Sequence, residues 1–223
     1  MQKIVKYSFY FGIFICLFAI ILILATNAYL KPSLPKIKLV NEAELQMPLK
    51  VYTKDGILIG EFGEIKRRSI TYTEIPENIK NAFLAAEDDN FFNHQGISYT
   101  GLIRSFIRCL RPSGCEGGGG TITMQVVRGY LLTREQTVIR KIKEIFLALE
   151  LEGNLEKEEI FELYVNRIFL GNRSYGIEAA ANTYFDKNIK ELSISESATI
   201  AALAQLPSRV NPVSYTHLTL PTT

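Results

Sequence analysis

Residues 7–30 form an uncharged run of 24 residues dense in Ile, Leu and Phe, and no other stretch constrains the architecture as strongly. As a helix it would reach about 36 Å, enough to cross a hydrocarbon core of ~30 Å. A cleaved leader has a shorter apolar region and small residues at its exit, whereas Thr26-Asn27-Ala28 is a poor cleavage site. The run is therefore expected to be a retained transmembrane signal anchor. Lys3 and Lys6 on one side face Lys31, Lys36 and Lys38 on the other, so flanking charge alone leaves the orientation open. A head of residues 1–6 is too short to carry a function. The expectation is an N-terminus inside and a working part outside the cytoplasm.

Composition narrows what that part does. With 47% hydrophobic and 22% charged residues, the chain fits neither a disordered protein nor a polytopic membrane protein. Lys+Arg number 25 against 23 Asp+Glu, a balance that argues against nucleic-acid binding. Charge is nevertheless uneven. Residues 104–143 carry eight bases (Arg104, Arg108, Arg111, Arg128, Arg134, Arg140, Lys141, Lys143) against Glu116 and Glu135 only. A basic stretch in an otherwise neutral body points to a localised anionic ligand. The two histidines and three cysteines show no metal-ligand spacing. Cys109 and Cys115 bracket a turn-rich loop that reads equally as a local disulfide or as two reduced thiols.

Along the chain, residues 31–35 read as a stiff Pro-containing exit from the membrane. Apolar runs at 49–52 and 57–60 flank Lys54-Asp55-Gly56, a hairpin signal, and residues 69–73 suggest a third strand. Helical character begins at Pro76, which suits a first helical position, with Ile79, Phe83 and Ala86 in a stripe that ends near Glu87. Thr133-x-x-Gln136 and Ser193-x-x-Glu196 resemble capping boxes. Ile139, Ile142, Phe146 and Leu149 predict one buried helical face, with Arg140, Lys141 and Glu144 on the solvent side. Further helices are expected from about 160, over 177–185 and over 196–206. The organisation is thus a head (1–6), an anchor (7–30), a linker with a small β element (31–75) and a mainly α domain (76–213). Residues 214–223 lose all charge and periodicity and read as translated cloning or sequencing adaptor.

Four clusters carry candidate chemistry. Residues 87–96 gather Glu87, Asp88, Asp89 and His94 at the end of an apolar helix, whose dipole disfavours negative charge there. Residues 118–125 run from a glycine loop (Gly118, Gly119, Gly120) into Thr121, Thr123, Gln125 and then Arg128, the parts of an anion-binding helix start. They lack the Gly-Lys-Ser/Thr ending of a nucleotide loop. Arg140-Lys141-x-x-Glu144 places two cations within reach of one carboxylate. Residues 157–166 form a charged amphipathic helix. Taken singly, these also read as a solvated helix end with a structural His94, a flexible linker, a surface ion-pair lattice and a half-buried helix.

In this order the clusters resemble glycosyltransferase family 51, the peptidoglycan polymerase domain of class A penicillin-binding proteins and of monofunctional transglycosylases. Its Glu-Asp-x-x-Phe-x-x-His-x-Gly pattern is met by Glu87, Asp88, Phe91, His94 and Gly96. A Gly-Gly-Ser-Thr-Ile-Thr-Gln-Gln pattern is matched by residues 118–125, Arg-Lys-x-x-Glu by residues 140–144, and Lys-x-x-Ile-Leu-x-x-Tyr-Leu-Asn by residues 157–166, which include Tyr164 and Asn166. Residues 175–181 and 184–185 are similar too. Gly120, Met124, Arg128, Gln136 and Asp186 stand where the family more often has Ser, Gln, Lys, Arg and Gly. A fifth, Arg-rich motif and a transpeptidase domain are expected beyond Pro212 and are missing from the chain, which reads as an N-terminal part.

The resemblance implies a lysozyme-like helical transglycosylase domain that joins lipid-linked disaccharides into β-1,4 glycan. Glu87 is the implied general base for the acceptor hydroxyl of lipid II, in an inverting displacement of undecaprenyl diphosphate. Arg128, Arg140 and Lys141 are implied to hold the diphosphate, with Thr123 and Gln125 bonding it or its sugar. Glu144 is implied to orient Lys141 or a divalent cation, Mg or Mn, on the diphosphate; no tightly bound cofactor is implied. Partners are lipid II, the lipid-linked glycan strand, the membrane and other cell-wall synthesis proteins, at the periplasmic face of a bacterial inner membrane. Phe106, Ile107, Leu110, Tyr130 and Leu131 flank the glycine loop as candidate membrane contacts. Two alternatives remain open on sequence: a lysozyme-like hydrolase, since two glutamates suit muramidase work, and an inactive tethered lipid II-binding fragment.

Overall fold

The computed structural model describes residues 70–109, 120–132, 137–205 and 207, a hairpin within 49–62, and scattered positions between 7 and 35. Strand β1 (Leu49–Tyr52) pairs antiparallel with β2 (Leu58–Phe62), with a register shift between Val51 and Tyr52 beside the Asp55-Gly56 turn. Gly56 there takes a φ of 81°, a conformation that glycine adopts without steric cost. Seven helices follow among the described residues: α1 (Glu77–Glu87), α2 (Tyr99–Cys109), α3 (Ile122–Leu131), α4 (Val138–Glu152), α5 (Lys157–Arg167), α6 (Ile177–Phe185) and α7 (Ile194–Gln205). Over residues 70–73, the described part of the expected third strand, no strand forms. Thr71 instead caps a 3-10 turn at Tyr72–Glu74, its N–H and hydroxyl both donating to Glu74 Oε2, at 2.9 and 2.8 Å.

Local caps set the helix starts. Pro76 sits one residue before α1, in the cap position. Thr121 opens α3 by accepting the Met124 N–H (3.2 Å), and Ser193 and Glu196 exchange bonds at the start of α7 as their spacing predicts. The Thr133-x-x-Gln136 box lies outside the described residues. What caps α4 is Thr137, which accepts from Arg140 N at 3.1 Å. Helix α6 ends on Asp186 in the left-handed region, φ 51°, which explains why glycine would suit this position.

Helix α3 is the centre of the packing, with α4 and α5 against it, while α1 packs on α7. Phe83, Phe91 and Phe161 are fully buried in one continuous core. Burying each such ring contributes about 1.5–3 kcal/mol.

The face that α4 buries differs from the expectation. Glu144, Leu147, Ala148 and Leu151 face inward, whereas Ile139 is 58% and Leu149 41% exposed and Ile142 and Phe146 are only half-buried. Helix α4 carries two apolar stripes, and Gly96 approaches the backbone of the buried one at Ala148. On the outer stripe, Ile139 and Ile142 line a cavity of about 290 Å³ with Ala25, Thr26 and Tyr29. The described positions between 7 and 29 are helical, with Phe11, Phe14, Phe18 and Ile21 exposed. Part of the expected anchor at 7–30 lies outside the described residues, and among those described no helix is long and apolar enough to cross a membrane. Residues 214–223 are likewise outside them.

Candidate functional site

Glu87 closes α1, and Asp88 turns the chain out of helical geometry. The Glu87 carboxyl is held on one side only. Its Oε2 accepts from Gln125 Nε2 of α3 at 2.6 Å, while Oε1 is buried without a hydrogen-bond partner. Burial pushes the carboxyl above the usual carboxylate range, against the opposing pull of Gln125 and Arg128.

The rest of that motif is scaffold. Asp88 is buried; its two oxygens take His94 Nε2 at 2.9 and 3.1 Å, and Oδ2 also accepts the Ile122 N–H at 3.1 Å. A carboxylate on the first amide of α3 suits the positive end of the helix dipole, so the acid that opposes the dipole of α1 favours that of α3. His94 stands edge-on to Phe91, centroids 6.1 Å apart, and its Nδ1 is buried without a hydrogen-bond partner. Gly96 has a φ of 76°; its carbonyl accepts from Thr121 Oγ1 at 2.6 Å, and a Cβ there would lie 2.9 Å from Ala148 O.

The cationic side is built on α4. Glu144 is 1% exposed, with Lys141 Nζ at 3.0 Å and Arg140 Nε at 3.4 Å, so this is a buried carboxylate under two cations rather than a surface lattice. Lys141 in turn stands against the start of α3, its Nζ 3.8 Å from where a Cβ on Gly120 would sit. Helix α3 thus joins both halves. Gln125 binds Glu87, exposed Arg128 biases the same carboxyl, and the residue before the cap faces Lys141. Gly118 and Gly119 lie outside the described residues, as do Cys115 and the side chains of Phe106 and Leu110. Ile107 is half exposed, whereas Tyr130 bonds the Leu163 carbonyl at 3.3 Å and Leu131 is half-buried.

Two of the expected ligand-binding residues have partners within the protein. Thr123 is fully buried and donates to Glu152 Oε1 at 2.5 Å. Gln125 donates to Glu87 through Nε2. Glu152 was not singled out from sequence, yet it also accepts Lys157 Nζ at 2.7 Å, and that ammonium lies 4.4 Å over the Phe91 ring. One carboxylate therefore ties together the glycine-loop helix, the last motif and the Phe91 core. The only sequence signal was an acid five residues before Lys157, a spacing that no helical face accounts for. Asn166 is 5% exposed and clamps Ile70 by both backbone groups, at 2.9 and 2.8 Å. Tyr164 is buried, edge-on to Phe83 with centroids 6.0 Å apart.

Among the described residues no group of three or more His, Cys, Asp or Glu is arranged to hold a metal ion, and Glu144 faces Arg140 and Lys141.

A family model described as "Transglycosylase" matches residues 55–220. Penicillin-binding protein 1A of Pseudomonas aeruginosa is 52% identical over 185 residues, 83% of this chain and 22% of that protein. The protein of the same name from Haemophilus influenzae is 47% identical, with 77% and 20% covered, and that from Escherichia coli 39%, with 95% and 25% covered. A crystal structure of penicillin-binding protein 1A from Haemophilus influenzae aligns at 32% identity over 76% of this chain and 16% of that one, with a TM-score of 0.37. The chain spans only 20–25% of the length of these three relatives. With ordered motifs, site geometry and family model in agreement, the chain belongs to the transglycosylase family.

Proposed function

We propose that this chain is a peptidoglycan glycosyltransferase that polymerises lipid II into β-1,4 glycan strands, with Glu87 as general base. The observation that carries this reading is the Glu87 carboxyl: its proton affinity is raised by burial, one oxygen is steered by Gln125, and the other is open. A sugar hydroxyl is a weak nucleophile and needs a proton acceptor poised nearer neutrality than an ordinary carboxylate. In the reaction the acceptor 4-hydroxyl gives its proton to Glu87 as its oxygen bonds the donor anomeric carbon. The bond from that carbon to diphosphate breaks on the opposite face, which inverts the centre. Undecaprenyl diphosphate departs with the bonding pair and needs no protonation.

Arg128 is exposed and Lys141 is partly so, which supports reading these two as the cations that meet the diphosphate. Arg140 is more enclosed, and with Glu144 it holds Lys141 in place. Both substrates carry polyprenyl tails. We read residues 7–30 as a single anchor in a bacterial inner membrane, with the catalytic domain on the periplasmic face; the exposed Phe11, Phe14, Phe18 and Ile21 support this. Other cell-wall synthesis proteins are expected partners there.

The test offers the full chain labelled lipid II and, separately, preformed glycan. Growing strands are expected from lipid II, and Glu87→Gln is expected to slow them about 100-fold or more. Release of soluble fragments from preformed glycan overturns the reading in favour of a hydrolase. Lipid II binding without any polymer overturns it in favour of a binding fragment.

A further inference from the structure

Near the end of α1 the buried polar atoms left without hydrogen bonds include Glu87 Oε1, an acceptor, and the hydroxyl of Tyr164 on α5, besides His94 Nδ1 beyond Asp88. Such groups are uncommon in folded proteins, because a buried polar atom without a partner forfeits its hydration for nothing. Here an open acceptor and an open donor lie in one neighbourhood. The Tyr164 ring packs edge-on against Phe83, and Phe83 stands one helical turn before Glu87 on the same face of α1. Charge on Glu87 and on Arg128 is felt at the Tyr164 hydroxyl, and Arg128 is felt in turn at Glu87. Packing does not require the hydroxyl, since the ring alone makes the contacts with Phe83 and Phe161.

We infer that Tyr164 is a positioning residue for Glu87: its hydroxyl donates to the open Oε1, through rotation of the Glu87 side chain or one water, and so fixes the orientation and basicity of that carboxyl. Gln125 holds Oε2 from α3, and Tyr164 answers it from α5, so that the carboxyl plane is set from both sides. The groups that face Glu87 are then Gln125 and Arg128 of α3, Tyr164 of α5 and its own neighbour Asp88. From helix α7 the uncharged Gln205 donates to the Ala86 carbonyl. This inference deepens the proposed function and rests on Glu87 being the base.

The test is Tyr164→Phe in the full chain, which keeps the ring and removes the hydroxyl. Loss of a donor to the ionised carboxylate destabilises the charged form, so the Glu87 titration, followed by carbon NMR of the labelled side chain, is expected to move upward. The acid limb of the polymerisation rate is expected to move the same way. kcat should fall about tenfold, with KM for lipid II unchanged. A hydroxyl that does not reach Glu87 predicts otherwise: an unmoved Glu87 titration and wild-type kcat, whatever the melting temperature, and that result overturns the inference. Tyr184→Phe, which removes a hydroxyl bonded to the Leu170 carbonyl, is the control and should leave the titration unmoved. Glu87→Gln measured alongside separates the two claims. If it polymerises normally, the base assignment fails, whereas an inactive Glu87→Gln beside an unaltered Tyr164→Phe removes only the role of Tyr164.

Discussion

Asn166→Ala isolates a contact that joins two parts of the chain 96 residues apart. The Asn166 side chain accepts from Ile70 N at 2.9 Å and donates to Ile70 O at 2.8 Å, and all four groups are buried. Alanine removes both partners and leaves a backbone N–H and a backbone C=O unsatisfied. Each such group costs about 1–3 kcal/mol, so the loss is about 2–6 kcal/mol, toward the lower figure where water enters the space left by the amide. The segment has a second tether, Tyr72 N to Glu162 Oε2 at 2.8 Å, which limits how far it peels away. Denaturant unfolding of the full chain, monitored by circular dichroism, measures the difference. Asn166→Asp is expected to be at least as damaging, because it keeps the acceptor for Ile70 N but sets a carboxylate against the Ile70 carbonyl. A loss below about 0.5 kcal/mol for the alanine variant, the range of an ordinary surface substitution, refutes the clamp as a source of stability.

Gly96→Ala places a Cβ 2.9 Å from both Ala148 O and Glu152 Cγ at a left-handed φ, and is expected to cost about 2–5 kcal/mol in the same assay. A variant as stable as wild type would show that the approach of this turn to α4 is looser than described. Glu87→Gln is expected to raise stability at neutral pH while removing activity, because glutamine keeps an acceptor for Gln125 without burying a charge. The sign follows from the raised folded-state proton affinity of Glu87. Its contribution is most favourable below the unfolded carboxylate value and is lost as pH rises through the folded one. The advantage of the variant in melting temperature should therefore shrink as the pH is lowered, and a variant less stable than wild type at neutral pH contradicts the assignment of burial as the cause.

Much of the site was legible because its residues are bound by short-range rules. Glu87 at a helix end, Arg140 and Lys141 four and three residues from Glu144, and the reciprocal cap of Ser193 and Glu196 follow from helical spacing alone. The roles of neighbours within a motif were not legible. Thr123 and Gln125 stand two residues apart after the same glycine loop, yet Thr123 turns to Glu152 in the core and Gln125 to Glu87. Residues two apart on a helix point in different directions, and only the packing partners say which direction is the cleft.

The sequence by itself determined the apolar N-terminal run, the basic stretch, the helical character and the order of the motifs, since each is a property of composition or of spacing along one segment. Only the tertiary structure decided which stripe of α4 is buried. Periodicity shows that a helix has an apolar face, and α4 has two. Glu144 is turned inward and Ile139 and Leu149 outward, on a helix that Gly96 approaches closely at Ala148. The same holds for Asn166 on Ile70, Glu152 on Thr123 and Lys157, and the open atoms of Glu87 and Tyr164. These pairings join segments far apart in the chain, or neighbours whose spacing matches no local pattern, so their energies depend on how the helices meet.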